Sequence, residues 1–273
     1  MITKINNFIK YPLYFSPISY FEKIIVNSHF GGLIKCIVCG SISLINVKDN
    51  NLRETCVCIK CGSTNRQRQI AYVCLEAGLQ NRKHLSSLKD FIKLDDFVVY
   101  NTEASGAIHC QLLKMKNYIY SEYFGISYTS GDIVNNIMHQ DLMDMSFSNE
   151  TIDLMISSDV FEHIPDPYKA HKEVYRVLKH GGRHIFTVPF YQTEFLDEDR
   201  IGNDNEGNIV HLKKPLYHED PLRPEGALVY KIFSLEMLVK LRKIGFRTNL
   251  YHIYKPLYGI LGKNAIVFEA IKE

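Results

Sequence analysis

The sequence predicts an α/β fold: a mostly parallel sheet preceded by a small cysteine-rich ribbon. Three observations carry that prediction. Residues 151–190 read as strand, loop, helix, glycine turn and strand. Five of the seven cysteines lie between Cys36 and Cys61. An amphipathic helix and two apolar strands close the chain.

The first observation sets the sheet type. Ile152 to Ser157 is an apolar run of strand length, suited to burial on both faces. Asp166-Pro167 starts a helix, because Asp caps free N–H groups and Pro suits the first helical position. Tyr168, Ala170, Val174, Val177 and Leu178 recur at helical spacing and face the sheet. Lys179 and His180 sit where a helix C-terminus favours positive charge, and Gly181 takes the left-handed closing position. His184 to Val188 forms the next strand. Two strands joined through a helix are parallel neighbours in one sheet.

The 273 residues suffice for one sizeable α/β domain plus a small module, and 46% apolar with 23% charged residues is ordinary for a globular protein. A net charge of +2 gives no whole-protein argument for nucleic acid or a membrane surface. No apolar run reaches the length of a transmembrane span. The first thirty-odd residues are broken by Lys10, Pro12, Pro17, Glu22 and Lys23 and lack a signal-peptide core. They read as a peripheral segment, helical around Ile18–Val26, of a cytoplasmic protein.

Cys36 and Cys39 form one C-x2-C-G unit, and Cys58 and Cys61 form a second, with 18 residues between them. Two thiolates three residues apart grip one metal ion from a tight turn, and Gly40 and Gly62 let backbone N–H groups approach the sulfurs. Four thiolates close a tetrahedral site, so zinc held there is structural. Disulfides are the rival reading, disfavoured without a secretory signal. Cys56 is a fifth sulfur outside this scheme. Cys74 and Cys110 stand in apolar contexts and read as buried packing residues. Residues 35–83 hold eight Lys/Arg (Lys35, Lys48, Arg53, Lys60, Arg66, Arg68, Arg82, Lys83) against three acids (Asp49, Glu54, Glu76), a local basic excess. Ser63 or Thr64 then caps a helix carrying Ile70, Val73, Cys74 and Leu75 and ending near Gly78.

The phrases SSDVFEHIPD and EVYRVLKHGG, with the apolar strand after them, resemble the second half of class I S-adenosylmethionine (SAM) dependent methyltransferases, in particular the type 11-like kind. There the pattern is an acid after a small pair, then hEHhxD with h apolar, then LKPGG. The run C-x2-C-G-S-x-x-R-x-R also resembles a bacterial subgroup of these enzymes with an N-terminal ribbon. The resemblance implies a Rossmann-like class I methyltransferase sheet with an antiparallel last strand, and SAM as cofactor. Residues 1–34 are then the peripheral segment, 35–65 the zinc ribbon, and 66–273 the methyltransferase domain, with a substrate-lid insertion at about 190–230.

Phe97 to Asn101 is the first strand of that domain. The family's next turn reads Asp/Glu-x-Gly-x-Gly-x-Gly; here Tyr100 holds the acid's place, Thr102 and Ala104 the first two glycines, and only Gly106 is kept. Thr102, Ala104 and Ser105 are small enough for close approach to the cofactor, and Glu103 supplies a replacement carboxylate; the ribbon-bearing subgroup has a similarly degenerate turn with a Glu. Tyr118 to Tyr120 is the second strand, and Glu122, 22 residues beyond Tyr100, stands where SAM and NAD folds place the acid for the ribose hydroxyls. Asp141-Leu142 resembles the end of the family's third strand, where Asp and the next N–H meet adenine. Ser157, Ser158 and Asp159 lie beyond the fourth strand, where an open parallel sheet binds ligands. The chemistry is expected between Ser157 and His163, with His163 as first candidate base and His218 as second. His211 and His218 have acids nearby but no standard metal-ligand spacing. Phe233-Ser234 opens a helix with Leu235, Leu238, Val239, Leu241 and Ile244, closed by Gly245, and residues 246–253 and 264–271 are the last strands.

These readings imply methyl transfer to a small-molecule or glycan-type acceptor; the phrase HLKKPLYHEDP resembles an insertion of methyltransferases associated with surface-glycan biosynthesis. Other classes stay open. One is a non-catalytic module or an RNA methyltransferase using the basic ribbon region. Another is a nicotinamide-dependent oxidoreductase, disfavoured by the missing GxGxxG.

Overall fold

The structure is a computed structural model that describes residues 32–47, 50–77, 85–203, 206, 209–220, 223–262 and 266–273. The helix expected around Ile18–Val26 lies outside these residues. The ribbon comprises β1 (Leu33–Lys35), β2 (Ile42–Val47), the one-turn helix α1 (Leu52–Thr55) and β3 (Cys56–Cys58), with β1-β2-β3 paired antiparallel. Helix α2 (Asn65–Ala77) follows. Thr64 caps it: the Gln67 N–H donates to Thr64 Oγ1 at 3.3 Å, and the Thr64 N–H donates back to Gln67 Oε1 at 3.1 Å.

The main sheet takes β4 (Val99–Asn101), β5 (Tyr118–Glu122), β6 (Ile133–Val134), β7 (Ile137–His139), β8 (Ile152–Ser158), β9 (Leu178–Thr187), and finally β16 (Phe246–His252) and β17 (Ile266–Lys272). Its order is β16-β17-β9-β8-β4-β5-β7-β6. The interior pairs β9-β8, β8-β4, β4-β5 and β5-β7 are parallel, whereas β17 runs antiparallel to both β9 and β16, and β6 runs antiparallel to β7. This is a Rossmann-like, mostly parallel sheet with the antiparallel finish that the sequence resemblance implies. Helices α3 (Gly106–Leu112), α4 (Pro167–Val177) and α5 (Leu235–Ile244) complete the layers.

Strand β8 is buried on both faces, as its composition predicts. Leu154 and Ile156 enter one core with Val99, Ile108, Ile185 and Val267; Met155 enters the other with Val174, Val177, Met237, Leu241 and Phe268. Each such side chain contributes on the order of 1.5–3 kcal/mol. The first core also takes Ile34, Ile37, Val38, Ile45 and Val47 from the ribbon, so ribbon and sheet share one apolar interior.

Asp166 caps α4 as expected, accepting from the N–H groups of Tyr168 at 3.1 Å and Lys169 at 2.9 Å. The helix end differs. α4 stops at Val177, and Leu178 already pairs with Ile152 on β8. The register then jumps, so that Arg183 pairs with Leu154. Gly181 therefore has φ +76 inside a strand bulge, not at a helix cap. A Cβ on Gly182 would stand 2.7 Å from the Lys179 carbonyl oxygen and 3.1 Å from that of Ile152, so this close backbone approach needs glycine.

Two packing expectations also change. α5 buries Met237 and Leu241, while Leu235 is 39% and Val239 42% exposed. Cys74 is buried, but Cys110 is exposed, because the turn of α3 carries it away from the core side held by Ala107, Ile108 and Leu112. The insertion is β-structure rather than loop. It contains the ladder β10 (Glu198–Asp199) with β15 (Lys231–Ile232), the hairpin β11 (Ile201–Asn203) with β12 (Ile209–His211), and the hairpin β13 (Tyr217–Asp220) with β14 (Arg223–Leu228). Asp197 roots it: one carboxylate accepts from the Ser234 N–H at 2.9 Å and from the Tyr168 hydroxyl.

Candidate functional site

The two C-x2-C-G units fold alike. Gly40 N–H donates to the Cys36 carbonyl at 2.7 Å and Gly62 N–H to the Cys58 carbonyl at 2.9 Å, with φ of +75 and +74 at the glycines. Only glycine adopts that conformation without strain. The turns bring the sulfurs of Cys36, Cys39, Cys58 and Cys61 within 4.8 Å of one another. Four thiolates around a tetrahedral zinc ion stand about 3.8 Å apart, and Cys36 and Cys61 Sγ are 3.7 Å apart. The donor set therefore fits one metal ion. The contact between these two sulfurs lowers the Cys36 thiol and raises the Cys61 thiol.

Cys56 stands outside the cluster, beneath Arg68. That guanidinium is fully buried and joins three parts of the chain. It donates to the Ser63 carbonyl at 2.5 Å, the Cys56 carbonyl at 2.8 Å and the Gly259 carbonyl at 2.9 Å, and its Nη2 is 3.4 Å from Cys56 Sγ. Asn65 adds a second link, its Nδ2 donating to the Leu261 carbonyl at 2.6 Å.

At the carboxyl ends of β4, β5 and β8 the ribbon reaches the sheet. Arg53 grips Asp159 with two hydrogen bonds, Nη1 to Oδ2 at 2.7 Å and Nη2 to Oδ1 at 2.8 Å. Arg66 Nη1 donates to Ser158 Oγ at 2.5 Å and lies 3.3 Å from Asp159 Oδ2, while its Nη2 donates to Glu54 at 3.0 Å. Thr187 Oγ1 donates to Asp159 at 2.7 Å. Burial pushes Asp159 up, but Arg53 and Arg66 outweigh it and hold the carboxyl well below its usual range. Arg53, Glu54 and Arg66 were not among the expected site residues. Their one trace in sequence is the basic excess of residues 35–83, and Arg53, Arg66 and Arg68 are engaged inside the molecule.

The turn after β4 lies beside these groups. Glu122 Oε1 accepts the Ala104 N–H at 2.8 Å, bringing the second-strand acid against the turn. Glu103 is pushed up to about 7, by burial first and then by repulsion from Glu122 and Asp159, against the pull of Arg66. Thr102 is buried, and among the described residues its hydroxyl has no hydrogen-bond partner. Gly106, φ +80, opens α3. An orphaned hydroxyl and a destabilised carboxylate fit a cationic, hydroxyl-bearing cofactor such as SAM. Asp141 follows β7 with one carboxylate oxygen accepting the Met143 N–H at 2.8 Å, and Leu142 is buried. Ser157 points away from this group: its hydroxyl is 2.8 Å from His184 Nε2 in the core. Tyr100, in the place of the family's acid, is buried with its hydroxyl 2.7 Å from Ser121 Oγ.

Beyond β8, a 3-10 turn from Phe161 to His163 carries Glu162 and His163. Hairpin β13–β14 of the insertion brings His218 to them. His218 Nδ1 is 3.5 Å and His163 Nε2 3.7 Å from Glu162 Oε1, with the imidazole rings edge-on at 5.0 Å. Glu162 is fully buried, and burial followed by Asp159 repulsion pushes it up to about 7 despite His218. His218 is raised in turn, first by its contact with Glu162. The structure thus unites the two expected histidines. His211 is exposed on β12 and outside the group.

The family model for a methyltransferase domain matches residues 108–186, from α3 to β9. The chain is 38% identical over 60 residues to 2-methyl-6-phytyl-1,4-hydroquinone methyltransferase 2, chloroplastic, of Oryza sativa subsp. japonica, a stretch covering 22% of this chain and 17% of that protein. The chain thus matches under a fifth of that relative's length. Among solved structures, an S-adenosylmethionine dependent methyltransferase from Mesorhizobium loti matches with TM-score 0.40 and 13% identity, over 66% of this chain and 92% of that one. SAM-dependent methyltransferases from Methanosarcina mazei match with TM-score 0.36 and 15% identity, over 65% and 93%. Residues 108–186 thus resemble a methyltransferase domain.

Proposed function

We propose that this chain is a SAM-dependent methyltransferase with a structural zinc ion in its ribbon. The observation that carries the cofactor reading is the meeting of Glu103, Glu122 and the orphaned Thr102 hydroxyl around one turn, at the carboxyl ends of parallel strands. SAM bound there supplies an electrophilic methyl group on a positively charged sulfur. Glu122 holds the ribose hydroxyls while keeping the turn in place through Ala104. Glu103 pairs with the methionine ammonium, Thr102, Ala104 and Gly106 allow close approach, and Asp141 and Leu142 meet the adenine. Ser158 and Asp159, tied to Arg66 and Arg53, close the floor, and Ser157 contributes its backbone. The protein's work is alignment of acceptor and methyl group rather than activation of the leaving group.

Residues 35–65 act as the zinc ribbon, 66–273 as the transferase domain, and the insertion at about 190–230 as the acceptor lid. The acceptor is a small-molecule or glycan-type compound, since Arg53, Arg66 and Arg68 are engaged internally and unavailable to RNA phosphates. A cytoplasmic setting, where thiols stay reduced, suits a thiolate metal site. Calorimetric titration with SAM and with NADH tests the reading: SAM binds and NADH does not. Absence of SAM binding by the zinc-loaded protein would overturn it in favour of a non-catalytic module.

A further inference from the structure

Glu162 is the charged group that cofactor binding leaves unexplained. Its side chain is fully buried, and among the described residues neither carboxylate oxygen has a well-formed hydrogen bond, the nearest donor being His218 Nδ1 at 3.5 Å. A buried carboxylate in that condition is unfavourable. The neighbouring guanidiniums do not relieve it, because Arg53 is paired with Asp159 and Glu54, and Arg66 with Glu54, Ser158 and Asp159. Two imidazoles face Glu162 instead. The donor atoms of Glu162, His163 and His218 all lie within 4.8 Å of one another. Ligand bonds of about 2.0–2.2 Å to one ion place donors about 3.0–3.5 Å apart, close to the 3.5 and 3.7 Å found here. His163 is also oriented as metal-bound imidazoles are. Its Nδ1 donates to the Leu228 carbonyl at 2.8 Å, which fixes the tautomer with the lone pair on Nε2, toward Glu162.

We propose that Glu162, His163 and His218 bind a divalent transition-metal cation, distinct from any metal in the thiol cluster, whose open positions take an oxygen ligand of the acceptor. Two imidazoles and a carboxylate suit zinc, or cobalt as its probe, better than calcium or magnesium, which prefer oxygen ligands throughout. Three protein ligands leave room for a fourth. Since hairpin β13–β14 supplies His218, the cation ties the insertion to the end of β8. His163 and His218 are then ligands rather than the bases expected from sequence. Only the link to an acceptor rests on the methyl-transfer reading; cation binding does not.

The test is titration of the zinc-loaded, full-length protein with Co2+, followed by calorimetry and visible absorption. Expected is a second metal equivalent per chain with the weak bands of a nitrogen and oxygen site. His218→Ala weakens that binding at least about tenfold and leaves zinc content and unfolding temperature unchanged, and Glu162→Gln weakens it too. No second equivalent, cobalt that enters only with intense thiolate absorption, or unchanged affinity in His218→Ala overturns the proposal. Cobalt binding that persists in a protein unable to bind SAM upholds the cation site and overturns only its link to the acceptor.

Discussion

The four thiols of the ribbon and the Glu162–His163–His218 group are built in opposite ways. Each half of the thiol cluster comes from a single turn, repeated with the same hydrogen bond and the same glycine conformation. The second group needs a strand end and a hairpin brought together from positions 162 and 218. The first is closed by four equivalent donors and suits a structural ion. The second has three unlike donors beside the strand ends where ligands bind in such sheets. A set of ligands made by local backbone geometry serves the fold; one made by tertiary contact is free to serve a substrate.

The largest effect should come from breaking the local cluster. Cys58→Ser is expected to abolish zinc binding and cooperative folding of the ribbon, since structural zinc contributes about 10 kcal/mol or more. Cys110→Ser, at an exposed thiol outside the cluster, is the control and should keep full metal content by mass spectrometry. Next is the bond between ribbon and sheet. Arg68→Ala leaves the carbonyls of Cys56, Ser63 and Gly259 without their donor and should destabilise by on the order of 3 kcal/mol in denaturant unfolding. Unchanged stability would mean that the two parts are merely adjacent.

Smaller effects separate cofactor residues from the cation group. Glu122→Ala should weaken SAM binding on the order of tenfold, about 1.4 kcal/mol, without altering cobalt affinity. The smallest is a pH effect on Glu103. A carboxyl raised to about 7 is largely neutral below that pH, and the SAM ammonium prefers the ionised form. SAM binding therefore releases a proton, and affinity should rise several-fold from about pH 6 to about pH 8. Glu103→Gln should flatten that dependence in calorimetric titrations.

What was legible in the sequence follows the same division. The β-α-β unit, the Asp166 cap and the cysteine turns are local, and their residue types state their geometry. Where two local explanations competed, the sequence misled. Gly181 reads as a helix closure, yet Leu178 is drawn into β9 by pairing with Ile152, and the glycine turns a bulge. Cys110 reads as buried because its neighbours are apolar, whereas helical phase alone exposes it. Arg53 and Arg66 read as a basic surface because nothing local announces Asp159, more than ninety residues on in the chain. Glu162 stood inside the recognised phrase, but its orphaned carboxylate is a property of the folded surroundings.

Arg68 has a consequence for how this protein could be shortened. A chain begun at α2 would retain every strand of the eight-stranded sheet, and so looks like a minimal enzyme. It would also strand a buried guanidinium whose acceptors at Cys56 and Ser63 had been removed, beside a Gly259 carbonyl that needs it. The ribbon is thus not an accessory that engineering or descent can trim. With metal in the thiol cluster, zinc scarcity would be felt as loss of the protein itself, through unfolding and degradation, and not as a slower reaction.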